Sequence, residues 1–382
     1  MGNFVKALSD RACVVMADST WMEDAALAQL LSTAQMEGMQ RVAGMPDLHP
    51  GRGNPVGAAF FSKDIIYPTL VGNDIGCGMA LWQTDLLASA VRLDKLDKRV
   101  GNIDGPLEDL QLRAQAAEVQ GVQPGEHLSA LGTIGGGNHF AEFQQVDAIY
   151  AAQALSDLGL SPRHLLLLVH SGSRGLGERI LRRHVDTFGH RGLTVGTDVA
   201  AAYLDEHEAA LRFARCNRSL VAQRLLLNVR AQGECVLDVH HNFVASANVG
   251  GQDGWLHRKG ATPSDQGPVV IPGSRGDYSY LVRSRRLCHD TLLSLAHGAG
   301  RKWIRSACKD RLFKLTSPTQ MARTALGSRV ICNDRQLIYE EAPQAYKGID
   351  SVVQALVGAG LIELLARLKP VLTYKTRGEC CE

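Results

Sequence analysis

Hydrophobic and polar positions along the 382-residue chain do not keep one rhythm. Residues 20–40 place apolar side chains at helical spacing, with Thr20 as an N-cap and the acidic Glu23 and Asp24 in the first turn. That pattern predicts an amphipathic helix. Further helices are predicted over 106–120, 178–189 and 197–231, the last long and rich in Ala, Leu and Arg, and over about 350–368. Short apolar runs at 65–70, 165–169, 235–239, 268–271 and 371–375 have the length of strands. Between them lie glycine-rich stretches, and 44–57 reads as a loop dense in Gly and Pro. The recurring unit is a strand, then a glycine-rich loop carrying a His, Cys or Asp, then often a helix. Strands and helices alternate without a regular βαβ beat, so the expected class is α+β. The expectation is a single large domain over 1–382, with mixed sheets and an active-site cleft lined by glycine-rich loops at strand ends.

Composition narrows the setting. Hydrophobic residues make up 45% of the chain and charged residues 21%, enough for a core with an ordinary surface. No apolar run approaches the ~18 residues of a membrane span, so no membrane partner is expected. The N-terminus lacks the apolar stretch of a signal peptide, and Lys6 stands where Ser or Thr would support myristoylation of Gly2. Nine cysteines, an odd number without paired spacing, argue for reduced thiols and a cytoplasmic location. The net charge of +2 does not by itself announce a nucleic-acid binder. Basic residues do cluster, at Arg179, Arg182, Arg183 and His184, at Arg212, Arg215 and Arg218, and at Arg283, Arg285 and Arg286. Such clusters form solvated helix faces or a local basic groove.

The chemistry converges on 295–301, where His297 stands among small residues and Gly298, Ala299 and Gly300 would let a ligand's phosphates approach the backbone. A histidine presented so can be a nucleophile, a metal ligand or a buried residue in a tight turn. Asp74 and Cys77, three apart on a glycine-rich turn, can point at one place, and His139, His170 and His241 each end a strand-like segment. A carboxylate, a thiolate and imidazoles suit Mn, Fe, Co or Zn. A thiolate sulfur can bridge two metals, and paired metals about 4 Å apart serve phosphoryl chemistry. Each residue also has a plain structural reading, Cys77 as a small core residue and the histidines as hydrogen-bonded core groups. His240 and His241 face opposite ways on a strand, so at most one should ligate. His49, His127, His164, His184, His190, His207, His257 and His289 have weaker contexts.

In order along the chain stand Gly72-Asn-Asp-Ile-Gly-Cys-Gly-Met79, Gly132-Thr-Ile-Gly-Gly-Gly-Asn-His-Phe-Ala-Glu142, His170-Ser-Gly-Ser-Arg-Gly-Leu-Gly177, His240-His-Asn242 and His297-Gly-Ala-Gly-Arg301. With Glu340-Glu-Ala-Pro-Gln-Ala-Tyr-Lys-Gly-Ile-Asp350 and the terminal Lys375, this series resembles the RtcB family of GTP-dependent RNA ligases over roughly 44–375. The resemblance implies the RtcB fold and an enzyme using Mn(II) and GTP. It would join RNA 3′-phosphate or 2′,3′-cyclic-phosphate ends to 5′-hydroxyl ends, through a histidine guanylate and then an RNA-(3′)pp(5′)G species. It implies His297 as nucleophile, and two Mn(II) ions held by Asp74, Cys77, His139, His170 and His241, with Cys77 as the bridge. Contacts to GTP or GMP fall to Asn138, Phe140, Glu142, His241, Asn242, Ser274, Ser279, His297, Gly298, Ala299, Gly300, Tyr346 and Lys375. Arg174, Arg301 and Arg305 are candidates for RNA or triphosphate phosphates, while Asp47 and His49 would support the site from behind. A monomer is compatible with all of this.

Pro50, Arg52 and Ile304 depart from the family's usual residues, which bears on RNA choice more than on chemistry. Competing readings are an enzyme that caps 3′-phosphates with GMP and stops, a di-metal phosphodiesterase, and a non-catalytic RNA-binding protein.

Overall fold

The computed structural model describes residues 4–378 apart from Ser19, Pro124 and the side chain of Glu126. Two large sheets carry the architecture, which is mixed α/β. The first has eight strands. Seven run in the order Gly233–His240, Gly78–Leu87, His164–Ser171, Phe140–Ile149, Ile362–Thr376, Ser279–Ser284 and Val269–Pro272, and Arg329–Cys332 pairs in parallel with the long Ile362–Thr376 strand. Its other pairings are antiparallel. The second has six strands in the order Val5–Ser9, Ala12–Val15, Met39–His49, Val56–Ser62, Gln252–Lys259 and Asn242–Val249. The chain passes directly from an edge of the first sheet to an edge of the second at His241, which lies between Gly233–His240 and Asn242–Val249.

The helix Asp198–Val229 crosses behind the eight-stranded sheet. Thr197 caps it by accepting a hydrogen bond from the Ala200 N–H. Val221, Leu225 and Val229 pack against Trp82, Phe143, Leu167 and Tyr374 of the sheet, and each such side chain contributes roughly 1.5–3 kcal/mol when fully buried. Leu211 meets Ile75 in one cluster, and Phe213 meets Leu131 in another, so the helix is covered on several sides. Arg218, which the sequence groups with a basic cluster, lies at 0% exposure in its middle. That overturns its reading as a solvated charge.

Several expected elements have different bounds for local reasons. The helix expected over 20–40 is only Asp24–Thr33. Glu23, not Thr20, occupies its N-cap position, and the Thr20 hydroxyl accepts from the Ala17 N–H instead. Gly38, with φ of +68°, then turns the chain into a strand. The stretch 44–57 is not a loop throughout. Strand Met39–His49 runs well into it because Ala43, Met45 and Leu48 are buried, and only residues 50–55 connect to the next strand. The strand expected at 65–70 stops at Ile66, since Pro68 opens the short helix Pro68–Val71. The last helix is Ile349–Gly358, not 350–368. Gly360, with φ of +66°, reverses the chain, and the rest of that segment begins Ile362–Thr376. No helix among the described residues is long and apolar enough to cross a membrane.

Candidate active site

Register brings the metal-type residues together. Gly78 pairs with both Ser171 and His240, and Phe140 pairs with His170. Cys77 therefore precedes, His241 follows and His139 precedes positions that are neighbours at one end of one sheet. The turn before Cys77 needs glycine at position 76, where φ is +75° and a β-carbon would sit 2.8 Å from that of Ala214. The Cys77 N–H closes this turn on the Asp74 carbonyl at 3.1 Å, and the His241 N–H donates to the Cys77 carbonyl at 2.8 Å.

Cys77 Sγ lies 3.1 Å from His170 Nε2 and 3.5 Å from His139 Nε2, and the His139 nitrogen is 2.8 Å from Asp74 Oδ2. The Cys77, His139 and His170 donor atoms all fall within 4.8 Å of one another. His241 extends the group, with its ring 5.2 Å from His170 and 4.9 Å from His297 between centroids. His170 Nδ1 donates to the Asn138 carbonyl at 3.2 Å, which leaves its Nε2 lone pair facing the cluster. His240 turns the other way, its Nδ1 2.8 Å from the Gly76 carbonyl.

The donor set fits a cation. A thiol and three imidazoles are buried beside a half-buried carboxylate, and among the described residues the buried atoms Asp74 Oδ1 and His139 Nδ1 have no hydrogen-bond partner. Burial lowers the basicity of His170 and His241, favouring the neutral rings that ligate metals. Burial would raise the Asp74 carboxyl, but His139 holds it below the usual carboxylate range.

Two buried side chains of the long helix brace these loops. Arg218 donates to the Gly76 carbonyl at 2.8 Å and the Ser171 carbonyl at 2.9 Å, and pairs with Asp238 at 2.6 Å. Asn217 accepts from the Gly132 N–H at 2.8 Å and donates to Ser171 Oγ at 2.9 Å and the Thr133 carbonyl at 3.1 Å.

His297 follows the short strand Ser294–Ala296, which pairs with Ala261–Pro263. The fully buried Asp47 receives its Nδ1–H at 2.6 Å and its backbone N–H at 3.2 Å, both on Oδ2. An ionised carboxylate only accepts, so Nδ1 carries the proton and Nε2 presents a lone pair. Gly300 is obligatory: φ is +70° and a β-carbon would lie 2.2 Å from the Asp47 carbonyl oxygen. Lys347 fixes the same strand from behind by donating to the carbonyls of Pro46 and Leu48, each at 2.9 Å. His49 Nδ1 donates to the Asp47 carbonyl at 2.8 Å, and burial lowers its pKa to about 4.

His297 opens on a cavity of about 700 Å³. Of the expected nucleotide contacts, Asn138, Phe140, Glu142, Ser274, Gly298, Ala299, Gly300, Tyr346 and Lys375 line it, together with His49, His170, Arg301 and Arg305. Ser279, Asn242, His241 and Arg174 stand outside that lining. Ser279 Oγ accepts from Gln144 behind the wall at 2.9 Å. Asn242 spans the metal-type turn, donating to the Asp74 carbonyl at 3.2 Å and accepting from Gly260 at 2.7 Å. Arg174 Nε donates to Thr133 Oγ1 at 3.2 Å.

One wall is organised by Glu341, which the sequence offered only as part of a longer motif. It pairs with Arg301 at 3.2 Å and with Arg305, accepts from the Tyr346 hydroxyl at 2.6 Å, and lies 3.7 Å from Lys375 Nζ. Burial would raise its carboxyl, but Lys375, Arg305 and Arg301 hold it at about 2. Arg301 spends its donors internally, on Glu341, Tyr346, the Trp303 and Glu340 carbonyls and Cys308. Burial pushes Lys375 down to about 8 and Glu142 up to about 7. Glu341, Lys347, Asn217 and Arg218 were not singled out from sequence as site residues. Glu341 and Lys347 stood only inside the longer 340–350 motif and Arg218 only in a basic cluster, and the sole signal of Asn217 was a polar residue in an Ala- and Leu-rich helix.

Comparison with known proteins agrees with the geometry. The family model described as tRNA-splicing ligase RtcB matches residues 29–109 and 108–376. RNA-splicing ligase RtcB2 of Escherichia coli is 56% identical over 378 residues, covering 99% of each chain. The tRNA-splicing ligase RtcB of Archaeoglobus fulgidus is 30% identical, covering 92% of this chain and 91% of its own. RNA-splicing ligase RtcB of Mycobacterium tuberculosis is 29% identical, covering 90% and 99%. A histidine clamped by a buried carboxylate beside a thiol–imidazole cluster, found in a chain with these relatives, makes this protein an enzyme of the RtcB family of RNA-splicing ligases.

Proposed function

We propose that the chain acts as one catalytic unit, a GTP- and Mn(II)-dependent ligase that joins RNA 3′-phosphate or 2′,3′-cyclic-phosphate ends to 5′-hydroxyl ends. The observation that carries this reading is the bond from His297 Nδ1 to Asp47 Oδ2, which aims Nε2 away from its support. In the first step His297 Nε2 attacks the α-phosphorus of GTP. A P–N bond forms, the P–O bond to pyrophosphate breaks, and Asp47 steadies the positive charge that develops on the ring. An oxygen of the RNA 3′-phosphate then displaces the imidazole from the GMP phosphorus. The 5′-hydroxyl finally attacks the 3′-phosphorus and releases GMP. A cyclic end is first hydrolysed: water adds to the phosphorus, the bond to the 2′ oxygen breaks, and a 3′-phosphate and a 2′-hydroxyl result.

Asp74, Cys77, His139, His170 and His241 would hold the Mn(II) ions. Bound there, the metals supply positive charge that offsets phosphate repulsion during attack. The remaining residues bind and orient. Gly298, Ala299 and Gly300 let the nucleotide lie against the backbone. Asn138, Phe140, Glu142, Ser274, Tyr346 and Lys375 surround it, and Glu341 keeps Tyr346 and Lys375 in place. Arg305 is the arginine of this wall best set to meet RNA phosphate, and Arg174 supports the adjoining glycine loop. We place the reaction in the cytoplasm, where a thiol such as Cys77 stays reduced.

Incubation with α-labelled GTP and Mn(II), followed by denaturing electrophoresis, tests the reading. The expected result is acid-labile label on the protein that disappears in His297→Ala while metal binding persists. No label on a folded, metal-loaded parent protein would overturn it in favour of a di-metal phosphoesterase.

A further inference from the structure

The helix Arg305–Leu312 and its flanks form the rim of the cavity, and nothing in the chemistry above uses their outer face. Lys302, Trp303, Ile304, Arg305 and Ser306 line the opening. Cys308 and Leu312 are buried, and Leu312 anchors the helix on Met321, Ile338 and Tyr339. The opposite face carries Lys309 and Arg311, and Phe313, Lys314 and Leu315 follow directly, all exposed. Large apolar side chains stand open among these cations: Ile304 at 67%, Phe313 at 48% and Leu315 at 78%. Arg311 sits over the Trp303 ring at 4.9 Å and Lys314 over the Phe313 ring at 5.7 Å. Among the described residues, none of Lys302, Lys309, Arg311 and Lys314 has a carboxylate at ion-pair distance, and Asp310 is the one acid in the stretch.

Unpaired cations alternating with exposed rings and aliphatic side chains form a surface that suits a single nucleic-acid strand. The cations meet phosphates and the apolar groups meet bases, with little demand on sequence. The patch is local on a chain of net charge +2, so binding would follow the patch and not the whole. We infer that the 302–315 rim is the track for the RNA strand whose 3′-phosphate end enters the cavity. This rests on the ligase reading above. The charge favours RNA over a protein partner, and continuity with the cavity opening favours the strand that must reach His297.

The test measures binding of single-stranded RNA ending in a 3′-phosphate by the full chain across a salt series, without GTP. One probe is a trinucleotide confined to the cavity and the other a dodecamer, within the ~4–16 nucleotides such tracks cover. In Lys309→Gln/Arg311→Gln/Lys314→Gln the dodecamer should bind about tenfold or more weakly at low salt. Its plot of log affinity against log salt should be shallower by about two, at roughly 0.7 per lost charge. Trinucleotide binding should not change. Phe313→Ala/Leu315→Ala should weaken the dodecamer with the parental slope. Self-labelling by GTP should be unaffected in both variants and reports their folding. Single substitutions, each expected to change the slope by about 0.7, replace any variant that loses labelling. Parental dodecamer affinity and slope in the triple variant would overturn the inference, whatever else that face binds. Absence of GTP labelling in the parent protein would sink the ligase reading instead, leaving the RNA measurement intact.

Discussion

Two groups of buried histidines lie in this molecule, and they differ in what their ring nitrogens face. His257 is mid-strand. Its Nε2 accepts the Tyr67 N–H at 2.9 Å, and its Nδ1 is 3.3 Å from the Phe60 carbonyl. His207 Nε2 accepts the Val244 N–H at 3.1 Å, and His184 Nε2 donates to the Arg191 carbonyl at 3.0 Å. Those partners are backbone, and the rings tie elements together. His139, His170 and His241 are buried comparably, with His297 half-buried beside them, but they face a thiol, carboxylates and one another. Around them Asp47 Oδ1, Asp74 Oδ1 and His139 Nδ1 lack partners among the described residues. A buried polar atom without a partner costs roughly 1–3 kcal/mol, so such a concentration signals a ligand-binding place and not a stability device. Burial does not separate the two groups; partners do.

The sharpest way to break the contrast is to give His297 the freedom that the structural histidines lack. Asp47→Ala removes the acceptor for both its Nδ1–H and its backbone N–H. Self-labelling by GTP should fall on the order of 10⁴-fold, as when the orienting carboxylate of a histidine-based site is replaced. Metal affinity should stay close to parental. Asp47→Asn keeps a carbonyl that can accept the Nδ1–H and should lose less. Parental labelling rates in Asp47→Ala would mean that another group orients the ring.

Arg218 tests whether the reactive cluster depends on a brace that is itself ordinary structure. It joins the turn before Cys77, the Ser171 end of the strand that carries His170, and Asp238. Arg218→Met keeps much of the buried volume but leaves Asp238 and two carbonyls without their donor. Unfolding free energy should drop by about 3–5 kcal/mol in denaturant titration. Mn(II) affinity, followed by electron paramagnetic resonance, should weaken about 10–100-fold, as for groups that orient metal ligands. Lost stability with unchanged metal affinity would confine Arg218 to a structural role.

His297, Asp74, Cys77, His139, His170 and His241 stood out because reactive residues flanked by glycine at strand ends are local patterns, and sheet register brings such ends together. Asp47 was visible as a supporting residue, but its bond to His297 joins positions 250 apart, and no local pattern announces that. Arg218 is hidden from the sequence because a basic residue in an Ala- and Leu-rich helix has the pattern of a solvated charge, while its partners are carbonyls distant along the chain. Over 44–57 the glycines and prolines mask Met45 and Leu48, whose burial continues the strand begun by Val42 and Ala43. Local pattern marks the long helices and five apolar strand segments, but none of those segments belongs to the six-stranded sheet, whose strands carry too many polar and glycine positions to stand out. Helix and strand ends follow from which turn wins, as Gly360 shows after Gly358.

The smallest effect belongs to the structural histidines and comes from acid. Burial lowers the pKa of His257 to about 4 and that of His207 to about 3, whereas the unfolded chain titrates them near 6.5. Their neutral forms are the ones bound in the fold, so their contribution is complete above the unfolded pKa. As pH falls from about 6.5 toward about 4, the unfolded chain takes up protons that the folded His257 refuses. Stability then declines by about 1.4 kcal/mol per pH unit for each such group. His257→Gln retains an oxygen able to accept the Tyr67 N–H but cannot titrate. Denaturant unfolding between pH 6.5 and 4.5 should show the variant's slope shallower than the parent's by about 1.4 kcal/mol per unit, with little difference near pH 7.5. Equal slopes would mean that His257 already takes up a proton in the fold. It would then resemble the reactive group more than its backbone partners indicate.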